Sequence, residues 1–286
     1  MRVGAVFPQT EIPPDPGAVR EFAVGAAELG CRHLHAYDHV VGADPASHPG
    51  WSGPYDVEHR FFEPLVLFGF LAEAVELELV TGILILPQRQ TALVAKQASA
   101  VDVLSGGRLR LGVGIGWNEL EYRALGVPYR QRGRRLDEQV RLLREFWTER
   151  SVQGAVDGEC ADGVGLAPLP VQRPIPVWFG GAAEPALERI GRSGDGWLAP
   201  LSGPTLDVER SVATIARAAA GAGRDPGAIG IDARLRVGDG ELGQQAAEWA
   251  RFGATHLTIE TMGAGHETVA AHLRALADAV DAVGAA

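Results

Sequence analysis

Short apolar, β-rich segments alternate with helical patterns eight times along the chain, and this alternation restricts the fold more than any single motif does. The strand-like segments fall at 3–7, 33–37, 77–86, 109–114, 175–179, 196–199, 231–237 and 256–261. Helical spacing occupies 16–29, 63–75, 93–104, 132–149, 185–193, 206–222, 241–252 and 267–282. The strands are nearly continuous apolar runs, as expected where a parallel sheet is covered on both faces. Eight βα units in 286 residues predict a TIM (β/α)8 barrel, with 1–286 as a single domain. A doubly wound sheet would carry fewer strands or a distinct second domain. Two irregular stretches, 41–60 and 151–174, read as loop insertions on that barrel.

Chemistry in such a barrel collects just after the strands. Those positions hold Tyr37, Asp38 and His39; Thr81 and Gly82; Gly114, Gly116, Trp117 and Asn118; Gly180 and Gly181; and Glu260, Thr261 and Met262, with Trp197 near the middle of the sixth strand. In L-R-L-G-V-G-I-G-W-N-E-L-E, from Leu109, glycines at a strand end leave backbone amides open to a flat or phosphorylated ligand.

The net charge of −10, with Lys96 the only lysine, argues against a nucleic-acid partner. Cys31 and Cys160 make neither a disulfide framework nor a metal cluster. No apolar run approaches the roughly 20 residues of a membrane span. The chain opens directly on a strand-like segment, so a cytoplasmic protein without membrane contact is expected. His33 and His35 share one strand face and could be two metal ligands. Later strand ends are dominated by glycine and tryptophan, so no metal is expected, and a metallohydrolase is the alternative of another class.

Five ordered blocks carry a family resemblance: Y-D-H-V at 37–40, T-G-I-L-I-L-P-Q-R-Q-T-A-L-V-A-K-Q-A-S-A-V-D-V-L-S-G-G-R-L from Thr81, L-G-V-G-I-G-W-N-E-L-E-Y from Leu111, G-V-P-Y-R-Q-R-G-R-R-L-D-E from Gly126 and P-V-W-F-G-G-A-A-E from Pro176. With them the chain resembles the bacterial luciferase-like flavin and deazaflavin oxidoreductases, in particular the short branch that uses coenzyme F420. The resemblance implies a luciferase-like barrel that exchanges hydride between F420 and a small-molecule substrate. FMN, in a monooxygenase of the same superfamily, is the alternative cofactor, and a homodimer is the expected assembly. It also implies a strand bulge at Thr81, Gly82 and Ile83 with a cis bond between Gly82 and Ile83. Asp38 and His39 would lie beside the ring. His39 is the catalytic acid–base candidate, and Asp38 would orient it or bind the cofactor. Gly180, Gly181, Ala182 and Ala183 would offer amides to phosphate at a helix start, with Gly114, Gly116 and Asn118 on the other flank. Arg132, Arg134 and Arg135 read as a solvated helix start with local ion pairs.

One departure bears on the reaction. Where several family dehydrogenases carry a catalytic glutamate, this chain has Trp117, which cannot act as an acid. Glu119 and Glu121 are candidate substitutes, and a non-catalytic flavin-binding protein is a further alternative. Val40, Val41 and Gly42 supply no tryptophan beside His39, although Trp51 could fold back from its loop. Trp51, Tyr55, Phe61 and Phe62 are expected to wall a substrate pocket. Trp117 and Trp197 are expected near the ring.

Overall fold

The computed structural model describes residues 1–201 and 207–284. Its strands are β1 (Arg2–Val6), β2 (His33–Ala36), β3 (Glu78–Thr81), β4 (Leu84–Ile85), β5 (Leu109–Gly114), β6 (Val152–Val156), β7 (Glu159–Val164), β8 (Val177–Gly180), β9 (Gly196–Leu198), β10 (Gly230–Arg236) and β11 (His256–Glu260). The helices are α1 (Pro16–Glu28), α2 (Pro64–Leu71), α3 (Thr91–Leu104), α4 (Glu119–Ala124), α5 (Arg132–Thr148), α6 (Glu184–Ser193), α7 (Val208–Gly221), α8 (Leu242–Arg251) and α9 (Val269–Gly284). The helix expected over 206–222 is seen as α7; Leu206 lies outside the described residues, as do 285–286 of the expected domain.

Parallel neighbours run β3-β2-β1-β11-β10-β9-β8-β5, and β3 pairs back onto β5, so the sheet closes into an eight-strand barrel ringed by helices. The register passes from Ala5 to Leu34 and from Leu34 to Leu79, then closes from Leu79 to Leu109. Both β2 and β5 are buried along their whole length, so the polar side chains they carry, His33, His35 and Arg110, lie inside the protein rather than in solvent.

The sequence at 77–86 reads as one strand, but the ladder breaks after Thr81 and resumes as β4 against β5. The Gly82–Ile83 bond between the two pieces is cis, as the resemblance implied. The stretch 151–174 is not wholly irregular. It holds the antiparallel hairpin β6–β7, turned at Asp157 (φ 42°) and Gly158 (φ 90°). Asp-Gly is a strong hairpin signal because both central residues adopt positive φ. From β7, Glu159 accepts the Thr91 amide at 2.7 Å and pairs with Arg135, so the insertion satisfies an orphan donor at the start of α3.

Barrel interiors of this kind are commonly filled by branched apolar side chains. Here the lower interior is ionic. Arg110 of β5 donates to Asp232 and Glu78, both at 2.9 Å, and stacks 4.4 Å from the Trp178 ring centre. Asp232 also meets His35 Nε2 at 3.1 Å and accepts from Thr258 Oγ1 at 2.7 Å, while Thr258 meets His33 Nε2 at 2.8 Å. Burial alone would raise the Asp232 carboxyl, but His33, His35 and Arg110 outweigh it and hold it well below the usual carboxylate range. Burial pushes both histidines down against the attraction of Asp232.

Candidate functional site

Loops after β2, β3 and β5, together with β10, enclose a cavity of about 240 Å³ at the carboxyl end of the barrel. Tyr37, Asp38 and His39 come from the end of β2, Gly82 and Ile83 from the bulge, Gly116 and Trp117 from the turn after β5, and Arg234 from β10. Through His39 and Tyr55 it adjoins a second cavity of about 490 Å³, lined also by Phe61, Phe62 and Asn118. Both adjoin solvent-facing loops, and their sizes suit a small-molecule site rather than a macromolecular one.

Glycines shape the floor. A Cβ on Gly114 would fall 2.6 Å from Ile83 Cδ1, and one on Gly180 would fall 2.8 Å from Ile83 Cγ2. Both positions therefore make room for Ile83, which packs with Val80, Trp178 and Leu198 and presents an apolar surface to the cavity. Beneath the bulge, a Cβ on Gly82 would meet His35 Nδ1 at 2.9 Å, which couples the ionic barrel interior to the site. Gly116 adopts φ +62°, a conformation for which glycine is suited.

His39 sits with its ring centre 4.9 Å from Phe61, 5.1 Å from Tyr55 and 5.8 Å from Trp117. Its Nδ1 faces Glu121 Oε2 at 3.4 Å. The Glu121 carboxylate is fully buried on α4, accepts Val40 N at 2.5 Å and Val41 N at 3.3 Å, and receives the Gln88 amide at 3.1 Å. Burial pushes its carboxyl up, but His39, Gln88 and the Val40 amide prevail and hold it below the ordinary range. An ionised Glu121 is unsuited to replace the acid missing at Trp117. It is instead an anion beside the imidazole.

Asp38 does not align His39. Its Oδ2 accepts Ile85 N at 2.9 Å and its Oδ1 pairs with Arg89 at 2.7 Å, while Arg89 also reaches Glu63 at 2.7 Å. Asp38 thus ties the bulge to the end of β2, although burial raises its carboxyl by more than Arg89 and the Ile85 amide lower it.

Other candidate residues fall in different places. The Thr81 hydroxyl donates to Gly112 O at 2.6 Å inside the barrel wall. Asn118 caps α4, its Oδ1 accepting Leu120 N at 3.0 Å and Glu121 N at 3.3 Å, so this acceptor is already engaged. Gly180, Gly181, Ala182 and Ala183 lead into α6, whose start has no side-chain cap. Ala182 lines a separate depression of about 220 Å³ with Glu184, Asp207 and Arg210 rather than the His39 cavity. Trp197 is fully buried behind the barrel, donating to Gly181 O at 2.8 Å and packing on Trp249, so the expectation that it borders the ring site is overturned. Trp51 does fold back, but onto Trp117, with ring centres 5.6 Å apart. Of the basic trio, Arg134 pairs with Glu138 and Arg135 with Glu159.

Sequence reasoning missed Arg234. The signal was present in I-D-A-R-L-R from Ile231, where charged residues alternate with apolar ones and therefore share one strand face. That alternation also brings Asp232 to His33 and His35, with ligand-capable atoms within 4.8 Å of one another. The Asp232 oxygen nearest His35 already carries the Arg110 guanidinium at 2.9 Å, an arrangement that favours an internal ion network over a cation site.

Comparison with known proteins gives a family model described as luciferase-like monooxygenase, matching residues 1–283. A Mycobacterium tuberculosis protein of unassigned activity is 31% identical over 255 residues, covering 86% of each chain. An F420-dependent glucose-6-phosphate dehydrogenase from Kineococcus radiotolerans is 28% identical over 262 residues, 89% of this chain and 74% of that one. An FMNH2-dependent dimethylsulfone monooxygenase from Pseudomonas putida is 29% identical over 191 residues, 65% of this chain and 52% of that one. Among solved structures, an F420-dependent secondary alcohol dehydrogenase superposes with a TM-score of 0.76 at 17% identity, covering 99% and 98% of the two chains.

Proposed function

The chain belongs to the luciferase-like monooxygenase family, and on that premise we propose that it transfers hydride between coenzyme F420 and a small organic substrate in the cavity beside His39. The carrying observation is the buried, ionised Glu121 at His39 Nδ1, over a cavity floored by Ile83. An apolar floor and the Trp117 and Tyr55 walls suit a flat tricyclic ring. Bound F420 would supply a two-electron hydride donor or acceptor.

The chain's own part follows from the geometry. With Nδ1 turned to Glu121, Nε2 is the His39 nitrogen left to give or take the substrate proton. Glu121 favours the imidazolium that forms when that proton is taken, and Phe61, Tyr55 and Trp117 limit water around the ring. Asp38 and Arg89 hold the bulge in register. The reading includes a homodimer, supported by the exposed apolar side chains Val66 and Phe70 on α2.

FMN is the second reading. It is favoured by Trp117 standing where a dehydrogenase carboxylate would act and by the FMNH2-dependent relative. The test is turnover of F420 with a panel of alcohols, enones and imines, followed by deazaflavin absorbance. F420-dependent turnover that falls roughly 10²-fold or more in His39→Ala supports the proposal. Oxygen-dependent turnover with reduced FMN alone, or no loss in His39→Ala, overturns it.

A further inference from the structure

Two arginines project into the barrel interior, and their surroundings differ. Arg110 is neutralised by Asp232 and Glu78, each at 2.9 Å. Arg234, higher on the same wall, forms no ion pair among the described residues. One of its N–H groups donates to the Tyr37 phenol oxygen at 2.7 Å, and its guanidinium lies 5.2 Å from the Tyr37 ring centre. None of its nitrogens is both buried and unpartnered, so the unpaired N–H groups are open to the cavity that Arg234 lines with His39 and Ile83. The neighbouring carboxylates are engaged elsewhere. Asp232 serves Arg110, His35 and Thr258, and Glu260 reaches Arg236 at 3.4 Å.

Asp232 and Glu260 favour the charged guanidinium from a distance, but no described carboxylate contacts its fork, and a ligand that brings an anion to those free N–H groups gains charge-assisted hydrogen bonds. The planar guanidinium fork matches a carboxylate in two parallel hydrogen bonds. We infer that Arg234, steadied by Tyr37, is a substrate-binding residue that takes a carboxylate, so the substrates of this site are small organic acids. The inference rests on the redox reading for the word substrate, but the carboxylate subsite stands on the cavity alone. Arg234 and His39 border the same cavity, so an acid held by the guanidinium would keep its reacting carbon within the walls that His39 shares.

The experiment titrates the full chain, alone and loaded with F420, with benzoate and with its uncharged counterpart benzamide, reading the fluorescence of the cavity tryptophan Trp117. Wild-type protein should bind benzoate roughly 10- to 100-fold more tightly than benzamide, the range expected of hydrogen bonds to a charged group. Arg234→Gln should abolish that preference in the protein without cofactor, because the lost contacts belong to the acid. Arg234→Lys, which keeps charge and loses the fork, should retain an intermediate preference, and Tyr37→Phe should weaken benzoate several-fold; these two decide the matter if Arg234→Gln does not fold. Equal affinity of the wild type for benzoate and benzamide, or an Arg234→Gln protein that keeps the benzoate preference, overturns the inference. Failure of F420 to bind counts against the redox reading only, since the titration without cofactor still reports on the carboxylate.

Discussion

His39 Nδ1 stands 3.4 Å from Glu121 Oε2, and the carboxylate behind it has no exposed surface. Because Glu121 also takes the amides of Val40 and Val41, the strand end that carries His39 and the helix that carries Glu121 are fixed by one side chain.

Glu121→Gln should therefore act on position as well as charge. The new NH2 either replaces the oxygen that accepts the Val40 and Val41 amides, leaving buried donors unmatched at a cost of about 1–3 kcal/mol by denaturant unfolding, or faces Gln88, whose amide must turn its unpaired Oε1 to meet it. Turnover should drop roughly tenfold or more, with cofactor affinity retained. The Glu121 carboxyl is depressed in the fold, so its stabilisation is present above the unfolded carboxylate pKa and is lost as pH falls through the folded value. The variant's stability should consequently be flatter than wild type in that acid range. Equal acid sensitivity would contradict an ionised Glu121.

Arg89→Met removes the only charged partner of Asp38 among the described residues and leaves a buried carboxylate on a single described amide. Breaking a buried pair from one side costs about 3–5 kcal/mol. Adding Asp38→Asn should recover part of that loss, and a double-mutant cycle with no coupling would show that Arg89 acts through Glu63 alone.

Gly114→Ala should cost about 1–3 kcal/mol through overpacking, since its Cβ would strike Ile83 Cδ1. Ile83→Val deletes that methyl and should restore part of the stability of Gly114→Ala, since Cγ1, 3.0 Å from the new Cβ, remains. It should rescue Gly180→Ala less, because the clash there is with Cγ2, which valine retains. Equal rescue of both would refute this account of the floor.

Four histidines set an acid limit. Burial, the largest cause for each, pushes His33 and His35 down and brings His256 and His272 to about 4. The unfolded chain takes up these protons first. Stability is thus full above about pH 6.5 and declines as pH falls below it toward the folded values. Thermal unfolding from pH 7.5 downward should show a Tm that is level and then falls below about 6.5. A flat Tm across that window would mean that these imidazoles are protonated in the fold.

Much of this architecture was legible because periodicity reports burial. All eight barrel strands lie within or close to the apolar segments read from the sequence, and His39, Gly82, Ile83 and Gly116 do meet at one cavity. What escaped depends on distances through space. The resemblance offers Asp38 as an orienter of His39 or a cofactor ligand, but its ion-pair partner Arg89 is 51 positions away, a contact that local sequence does not disclose. Glu121 was visible only as a helix residue near the glycine turn, since nothing local discloses that α4 folds against the end of β2. Arg234 escaped because a charge in an apolar strand can face the barrel interior as readily as its rim.

The most direct test of the central claim is titration of the full chain with F420 and, separately, with FMN, followed by tryptophan fluorescence. Trp117, 40% exposed and lining the cavity, is the reporter, while Trp197 is shielded behind the barrel. The account predicts saturable quenching by F420 at micromolar concentration, lost in Trp117→Phe, with weaker binding of FMN. Preference for FMN would contradict the deazaflavin assignment, and binding of neither would contradict the redox reading.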